Sequence, residues 1–318
     1  MENIPSLEDI HHAHQRIKPF IHRTPVLSSE MINKKAGCSL FFKCENFQKV
    51  GAFKMRGAAN AILSLPATRI AHGVATHSSG NHAQAIAKAA SDMGCKAYIV
   101  MPESAPRVKV NAVRDYKAEI YFCNSSLQAR EQTLRTVLQE TKATFIHPYD
   151  NYDIIAGQAT AAAELIGEIK DLDILIAPVG GGGLLSGTCL SAAYMLPEAL
   201  VFGAEPSGAD DARRSIDSGL IHPSIDPKTI ADGLLTSLSE RTFGIIRRYV
   251  TNIITVDDPE IVDAMRLVWE RMKILIEPSA AVPLAAVFKR PEVFRDKRVG
   301  VILSGGNVDL DKIQWAIS

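Results

Sequence analysis

Between Gly73 and Cys123 the chain repeats one pattern: a short apolar run, then a stretch with helical spacing. Gly73-Val74-Ala75-Thr76, Ala97-Tyr98-Ile99-Val100-Met101 and Glu119-Ile120-Tyr121-Phe122-Cys123 read as strands. Helices are expected over 81–92, after Pro106 and over about 126–140. Short apolar strands that alternate with helices form parallel βαβ units covered on both faces. Few architectures accommodate such a run.

The alternation resumes after Pro148, with a helix over 153–168 and a strand over Asp173–Ala177. A glycine-rich turn and helix follow, then strands over Ala199–Ala204 and Arg298–Leu303. Upstream, Ser6-Leu7-Glu8-Asp9 opens a helix ending near Pro19, and Ser39–Cys44 is a strand leading into a helix through Ala59 and Ile62. The expected fold is α/β, with two open, mainly parallel sheets flanked by helices. A small unit over 72–150 is inserted into a larger one made of 1–71 plus 151–318. Ligands bind such sheets beyond the carboxyl ends of the strands, here in the cleft between the units. The stretch from Ser215 to Thr242, with Pro223 and Pro227, is the least periodic and is expected to be an extended loop near the site.

A chain of 318 residues can bury a large core. Its 35 basic residues balance 35 acidic ones, which leaves no electrostatic footprint for nucleic acid or an anionic membrane. No apolar run suits a signal peptide or a membrane span, and the five scattered cysteines contain no CxxC pair. A reducing, cytoplasmic setting is the expectation, without disulfides or a zinc cluster.

Five stretches carry chemistry. In Gly51-Ala52-Phe53-Lys54-Met55-Arg56-Gly57 a lysine follows a bulky apolar residue just as a helix begins. Desolvation lowers a lysine's pKa, and a neutral amine can form a Schiff base with an aldehyde. Taken alone, the stretch reads more readily as a surface lysine on a helix's first turn. The other four change that balance, because each is a turn that follows a strand.

His77-Ser78-Ser79-Gly80-Asn81-His82 presents backbone N–H groups at a helix start, suited to a carboxylate. Pro178-Val179-Gly180-Gly181-Gly182-Gly183 has a high backbone-entropy cost, and a phosphate held by bare N–H groups accounts for it. Glu205, Asp210 and Asp211 place hard oxygen donors close together, enough for a hydrated Mg²⁺, Mn²⁺ or Ca²⁺, or equally for helix capping. Ser304-Gly305-Gly306-Asn307 follows the last strand, where a serine can meet a ring nitrogen. Two other readings stay open. Gly181-x-Gly183-x-x-x-Gly187 with Glu205 loosely matches a dinucleotide fingerprint, and a cofactor-carrying protein without catalysis would share the same turns. The dinucleotide reading leaves Lys54 and the 78–82 turn without a role.

Together and in this order, the stretches resemble the fold-type II pyridoxal-phosphate enzymes (tryptophan synthase β-like), most closely the serine racemase branch of the serine/threonine dehydratases. The likeness runs from Thr24-Pro25-Val26-Leu27 to Ser304-Gly305-Gly306-Asn307. It implies that Lys54 carries pyridoxal 5'-phosphate as a Schiff base, with Ala52 in place of the usual serine. It further implies that Phe53 packs on the ring and Asn81 meets the phenolic oxygen. Gly180, Gly181, Gly182 and Gly183 would hold the phosphate, Ser304 would face the pyridine nitrogen, and Glu277 would lie near the ring. A neutral serine leaves that nitrogen a weaker electron sink than an aspartate would.

Ordinary threonine dehydratases carry alanine where this chain has Ser79. A racemase needs an acid–base group on each face of the α-carbon. The resemblance implies Lys54 on the si face and Ser79 on the re face, with dehydration of serine to pyruvate and ammonia as a companion activity. Ser78, Ser79, Asn81 and His82 would bind the substrate carboxylate, with Arg130 and Thr236 in the pocket wall. Those two leave L-threo-3-hydroxyaspartate open as the substrate, and the alternative to a racemase is a dehydratase of L-threo-3-hydroxyaspartate or of L-threonine and serine without physiological racemisation. The family's cation site falls on Glu205, the Ala209 carbonyl and Asp211. A homodimer is implied, and ATP as an effector at Lys49, Gln84, Lys273 and Asn307, although Glu30 puts a carboxylate where phosphates would lie. The sequence closes after a helix holding Trp315, so no regulatory domain and no feedback by isoleucine are expected.

Overall fold

The computed structural model describes residues 4–310 apart from Ser79 and Pro106, and not the side chains of Val108 and Lys109. Ser79 and Trp315 therefore lie outside the described residues. The strands are β1 (Val26–Leu27), β2 (Ser39–Cys44), β3 (Val74–His77), β4 (Ala97–Pro102), β5 (Glu119–Cys123), β6 (Thr144–Phe145), β7 (Ile174–Pro178), β8 (Leu200–Pro206), β9 (Asn252–Val256) and β10 (Arg298–Leu303). They form a six-stranded sheet ordered β1-β2-β10-β7-β8-β9 and a four-stranded sheet ordered β5-β4-β3-β6. Every pairing is parallel except the antiparallel β1–β2 edge. The α/β architecture with two mainly parallel sheets is as expected.

The central strands are apolar throughout because helices cover both faces. β7 and β4 are buried along their whole length. Pairing β2 beside β10, from Ser39↔Arg298 to Cys44↔Leu303, brings the ends of those strands together. The chain leaving β2 then meets the turn leaving β10: Phe53 N–H donates to Ser304 O at 3.0 Å, and Gly306 N–H to Gly51 O at 2.9 Å.

The helices of the small sheet, Asn81–Asp92 and Leu127–Thr141, begin where the spacing places them. The stretch expected to be one extended loop is different at its start. Asp211–Ser218 is a helix, closed by Gly219 in the left-handed region at φ 75°. Eight residues are too few for a clear period, although the acidic start and glycine stop were present. Irregular backbone follows from 219 to 231. Among the described residues no helix is long and apolar enough to cross a membrane.

Candidate active site

Lys54 is the first residue of the helix Lys54–Leu63. That helix is placed by the helix Tyr152–Glu168 behind it, whose Gln158 Oε1 accepts the Gly57 N–H at 3.1 Å and so caps an unpaired helix donor. Asn60 Nδ2 adds a bond to Asp153 O at 2.7 Å. Two residues beyond Lys54, Arg56 turns into the interior and anchors the helix. It meets both oxygens of Glu45 at 2.7 and 2.8 Å and those of Glu164 at 2.9 and 2.8 Å, with Lys43 on Glu164 at 2.6 Å. Mutual pairing offsets the desolvation of four buried charges.

The Lys54 side chain is partly buried, and its Nζ donates to the Pro148 carbonyl at 3.1 Å while lying 5.1 Å from the Phe53 ring centroid. Burial pulls its pKa from 10.5 to about 8, against the charge of Glu277, which favours the ammonium. The amine therefore faces the protein interior rather than bulk water. A basic nitrogen with a sizeable neutral fraction at physiological pH can add to an aldehyde.

The glycine turn sits between β7 and the helix Gly183–Met195. Gly182 has φ 86°, open to glycine at no steric cost, and a methyl on Gly181 would lie 2.2 Å from the Tyr149 ring. Among the described residues, the N–H groups of Gly180, Gly181 and Gly182 find no acceptor. Unpaired donors at a helix start make a seat for a phosphate, so the residues present fit that part of the cofactor.

Lys54 and the glycine turn are brought together by consecutive residues: Pro148 receives the amine, and Tyr149 lies on Gly181, with Thr236 near enough to its phenol to oppose the rise that burial gives its pKa. Sequence reasoning missed this 147–150 segment. His147 beside it, with its pKa lowered to about 4 chiefly by burial, stays neutral.

Asn81, at the head of its helix, donates to Glu277 Oε1 and Oε2 at 2.9 and 3.1 Å. Its Oδ1 accepts from Asn307 Nδ2 at 2.9 Å, and Asn307 also donates to Val50 O at 2.7 Å and Glu277 Oε2 at 3.2 Å. A methyl on Gly305 would come within 2.6 Å of Glu277 Oε1, so that glycine is what admits the acid. Lys54, Phe53, Asn81, Glu277 and Ser304 thus share one wall.

Ser78 Oγ accepts the Gly80 N–H at 3.3 Å, keeping the turn ahead of Asn81 tight. The His82 ring has Nε2 on Ile146 O at 3.3 Å and Nδ1 buried without a hydrogen bond. Burial holds it neutral, well below the usual histidine range. Arg130 stands beside His77 and helps depress that ring's pKa, and its own Nε is buried with no hydrogen bond. A buried guanidinium donor without an acceptor suits an anionic ligand group.

Away from this wall, Glu205 at the end of β8 accepts from Ala212 N and Arg213 N, each at 2.9 Å. Burial pushes it up to about 9 and Asp211 up to about 6. Both Asp211 oxygens and the Ser224 hydroxyl are buried with no hydrogen bond of ordinary geometry, although Ser224 lies near enough to Asp211 to oppose the rise in its pKa. Among the described residues no three His, Cys, Asp or Glu side chains converge. Two carboxylates and the Ala209 carbonyl remain, oxygen donors that suit a hard, partly hydrated cation.

Comparison with known proteins agrees with this chemistry. A family model described as pyridoxal-phosphate dependent enzyme matches residues 17–305. The β-hydroxyaspartate dehydratase of Paracoccus denitrificans (strain Pd 1222) is 51% identical over 312 residues, 98% of this chain and 99% of that protein. The serine racemase of Dictyostelium discoideum is 52% identical over 314 residues, 97% of this chain and 96% of that one. Its crystal structure superposes with a TM-score of 0.92, covering 96% of this chain and 99% of that chain at 51% identity.

Proposed function

The chain belongs to the pyridoxal-phosphate dependent enzymes, and on that premise we propose that it interconverts L- and D-serine and also dehydrates serine to pyruvate and ammonia. The supporting observation is the Lys54 amine, drawn to a pKa of about 8 and held at the Pro148 carbonyl beside a glycine turn with unpaired N–H donors. That site lies in a chain 52% identical to a serine racemase. When bound, pyridoxal phosphate supplies an aldehyde for the lysine and an electron sink for the substrate's α-carbon.

The protein's part is positioning and proton transfer. Gly180 to Gly183 would seat the phosphate, Phe53 would pack on the ring, and Asn81, oriented by Glu277 and Asn307, would meet the phenolic oxygen. Ser304 would face the pyridine nitrogen. Ser78 and Asn81, with the N–H groups of the 78–82 turn, bind the substrate carboxylate. Lys54 Nζ takes or returns the α-proton on one face and the Ser79 hydroxyl does so on the other.

A second reading is dehydration of 3-hydroxyaspartate. It is favoured by the unpaired Arg130 Nε, a donor for a second carboxylate, and by the 51% identity to a β-hydroxyaspartate dehydratase. Incubating the holoenzyme with L-serine, D-serine, L-threonine and L-threo-3-hydroxyaspartate, and scoring keto acid and enantiomer, tests both. Keto acid from hydroxyaspartate alone, with no D-serine formed from L-serine, would leave only the second reading.

The proposal extends to a Mg²⁺ or Ca²⁺ at Glu205, Ala209 O and Asp211, where unbonded Asp211 oxygens support it. It also extends to a cytoplasmic homodimer, in keeping with five free cysteines and the family resemblance. ATP at Lys49, Gln84, Lys273 and Asn307 would compete with Asn307's bonds to Val50 and Asn81, which ties any nucleotide effect to Asn81.

A further inference from the structure

Residues 147–150 link β6 to the helix Tyr152–Glu168, and one side chain closes the link. His147 Nδ1 accepts the Asp150 N–H at 2.9 Å and the Tyr149 N–H at 3.3 Å. An imidazole nitrogen that accepts must carry its lone pair, so the ring proton sits on Nε2. The ring stands edge-on to Phe145 at 5.6 Å and to Tyr149 at 4.7 Å.

The link is fastened at both ends. Upstream, the Ile146 carbonyl takes the Thr76 hydroxyl at 2.9 Å. Downstream, Asn151 Oδ1 caps the next helix by accepting from Asp153 N and Ile154 N, and Asp150 Oδ1 meets Arg241 Nη1 at 3.2 Å. Between these ties, the His147 ring holds the two amides that follow Pro148, with the Asn151 N–H on Tyr149 O at 2.9 Å beside it, and so sets the course of the chain past the Pro148 carbonyl, which receives Lys54 Nζ at 3.1 Å.

A neutral primary amine has two N–H bonds and one lone pair. Holding one N–H on a carbonyl limits rotation about Cε–Nζ and therefore aims the lone pair. The same carbonyl accepts from the ammonium after a proton is taken, so it serves both protonation states.

We propose that His147 is a positioning residue for Lys54. By holding the 147–150 turn through its Nδ1 lone pair, it keeps the Pro148 carbonyl where the free amine is oriented toward the substrate's α-carbon. The inference rests on Lys54 being the base for L-serine.

Three variants and two substrates test it in the holoenzyme. His147→Leu removes the acceptor at similar bulk, His147→Asn restores one at the δ position, and His147→Gln places it one carbon too far. Misplacement of a reacting group by about 1 Å can cost on the order of a hundredfold. The expected result is a loss of about tenfold or more in kcat for L-serine in the Leu and Gln variants, with KM little changed. A larger primary isotope effect should appear with α-deuterated L-serine. Exchange of the α-proton of D-serine, which leaves from the opposite face, should fall much less, and the Asn variant should recover most of the loss.

Independently of activity, ring-nitrogen NMR of the wild-type protein should show the Nε2–H tautomer. The Tyr149 and Asp150 amides should exchange slowly in wild type and fast in His147→Leu. An Nδ1–H ring in wild type overturns the inference whatever the kinetics. Equal losses for both enantiomers, with Asn no better than Leu, overturn it too, since His147 would then be packing alone. Absence of any L-serine turnover in wild type would instead defeat the reading of Lys54 as base, while the tautomer still decides for or against the turn.

Discussion

Gly57 and Gly157 lie backbone against backbone where the lysine-bearing helix crosses the helix behind it. A methyl on Gly157 would stand 2.6 Å from Gly57 Cα and 2.7 Å from Arg56 O, and one on Gly57 would stand 2.4 Å from Gln158 Nε2. Neither backbone can yield without moving Lys54, which begins the same helix. Gly157→Ala is therefore expected to cost about 1–3 kcal/mol, read by urea unfolding. Turnover should fall further than the stability loss accounts for.

The amine's reactivity should follow its lowered pKa. With a value of about 8, the neutral fraction rises with pH through that point, from about a tenth at pH 7 to about nine-tenths at pH 9. Capture of pyridoxal phosphate by the cofactor-free protein, followed as an imine absorption band, should increase over that window and then level off. A solvated lysine would keep accelerating beyond pH 10. Lys54→Ala should show no band.

Replacing Ser79 with alanine should abolish racemisation and spare dehydration of L-serine, because elimination needs a base on one face only. Chiral analysis of the amino acid beside a keto-acid assay checks this. Parallel loss of both activities would show that the two-face assignment is wrong.

Arg56→Met should destabilise the fold by about 3–5 kcal/mol, since it leaves Glu45 and Glu164 buried with too few partners. Arg56→Lys should rescue only part of this, because an ammonium cannot serve two carboxylates bidentately. Equilibrium unfolding measures both.

Mg²⁺ should raise the melting temperature of wild type and leave Asp211→Asn nearly unchanged. Saturation at a hundred times Kd corresponds to about 2.7 kcal/mol. Indifference of both activity and melting temperature to chelators in wild type would remove the cation from the account.

Much of the fold was legible because buried parallel strands such as Ile174–Pro178 are continuous apolar runs. Val26–Leu27 and Thr144–Phe145 are too short for any period to register. The helix Pro278–Lys289 is apolar nearly all round and contains Pro283, so it lacks the amphipathic stripe that marks a helix in sequence. At the site, Lys54 and the glycine turn could be read because their chemistry lives in residue types. The 147–150 turn could not, since its work is done by Pro148 O, Tyr149 N and Asp150 N, and a backbone atom leaves no mark on composition. The His82 ring is tied to Ile146 O, a contact its residue type did not signal.

The chain passes between the two sheets a second time through residues 146–151, the stretch that also bears the lysine's acceptor and the ring lying on the phosphate seat. Pro148 O on Lys54 and the Tyr149 ring on Gly181 are carried by adjacent residues, so any displacement of this crossing reaches the amine and the glycine turn together.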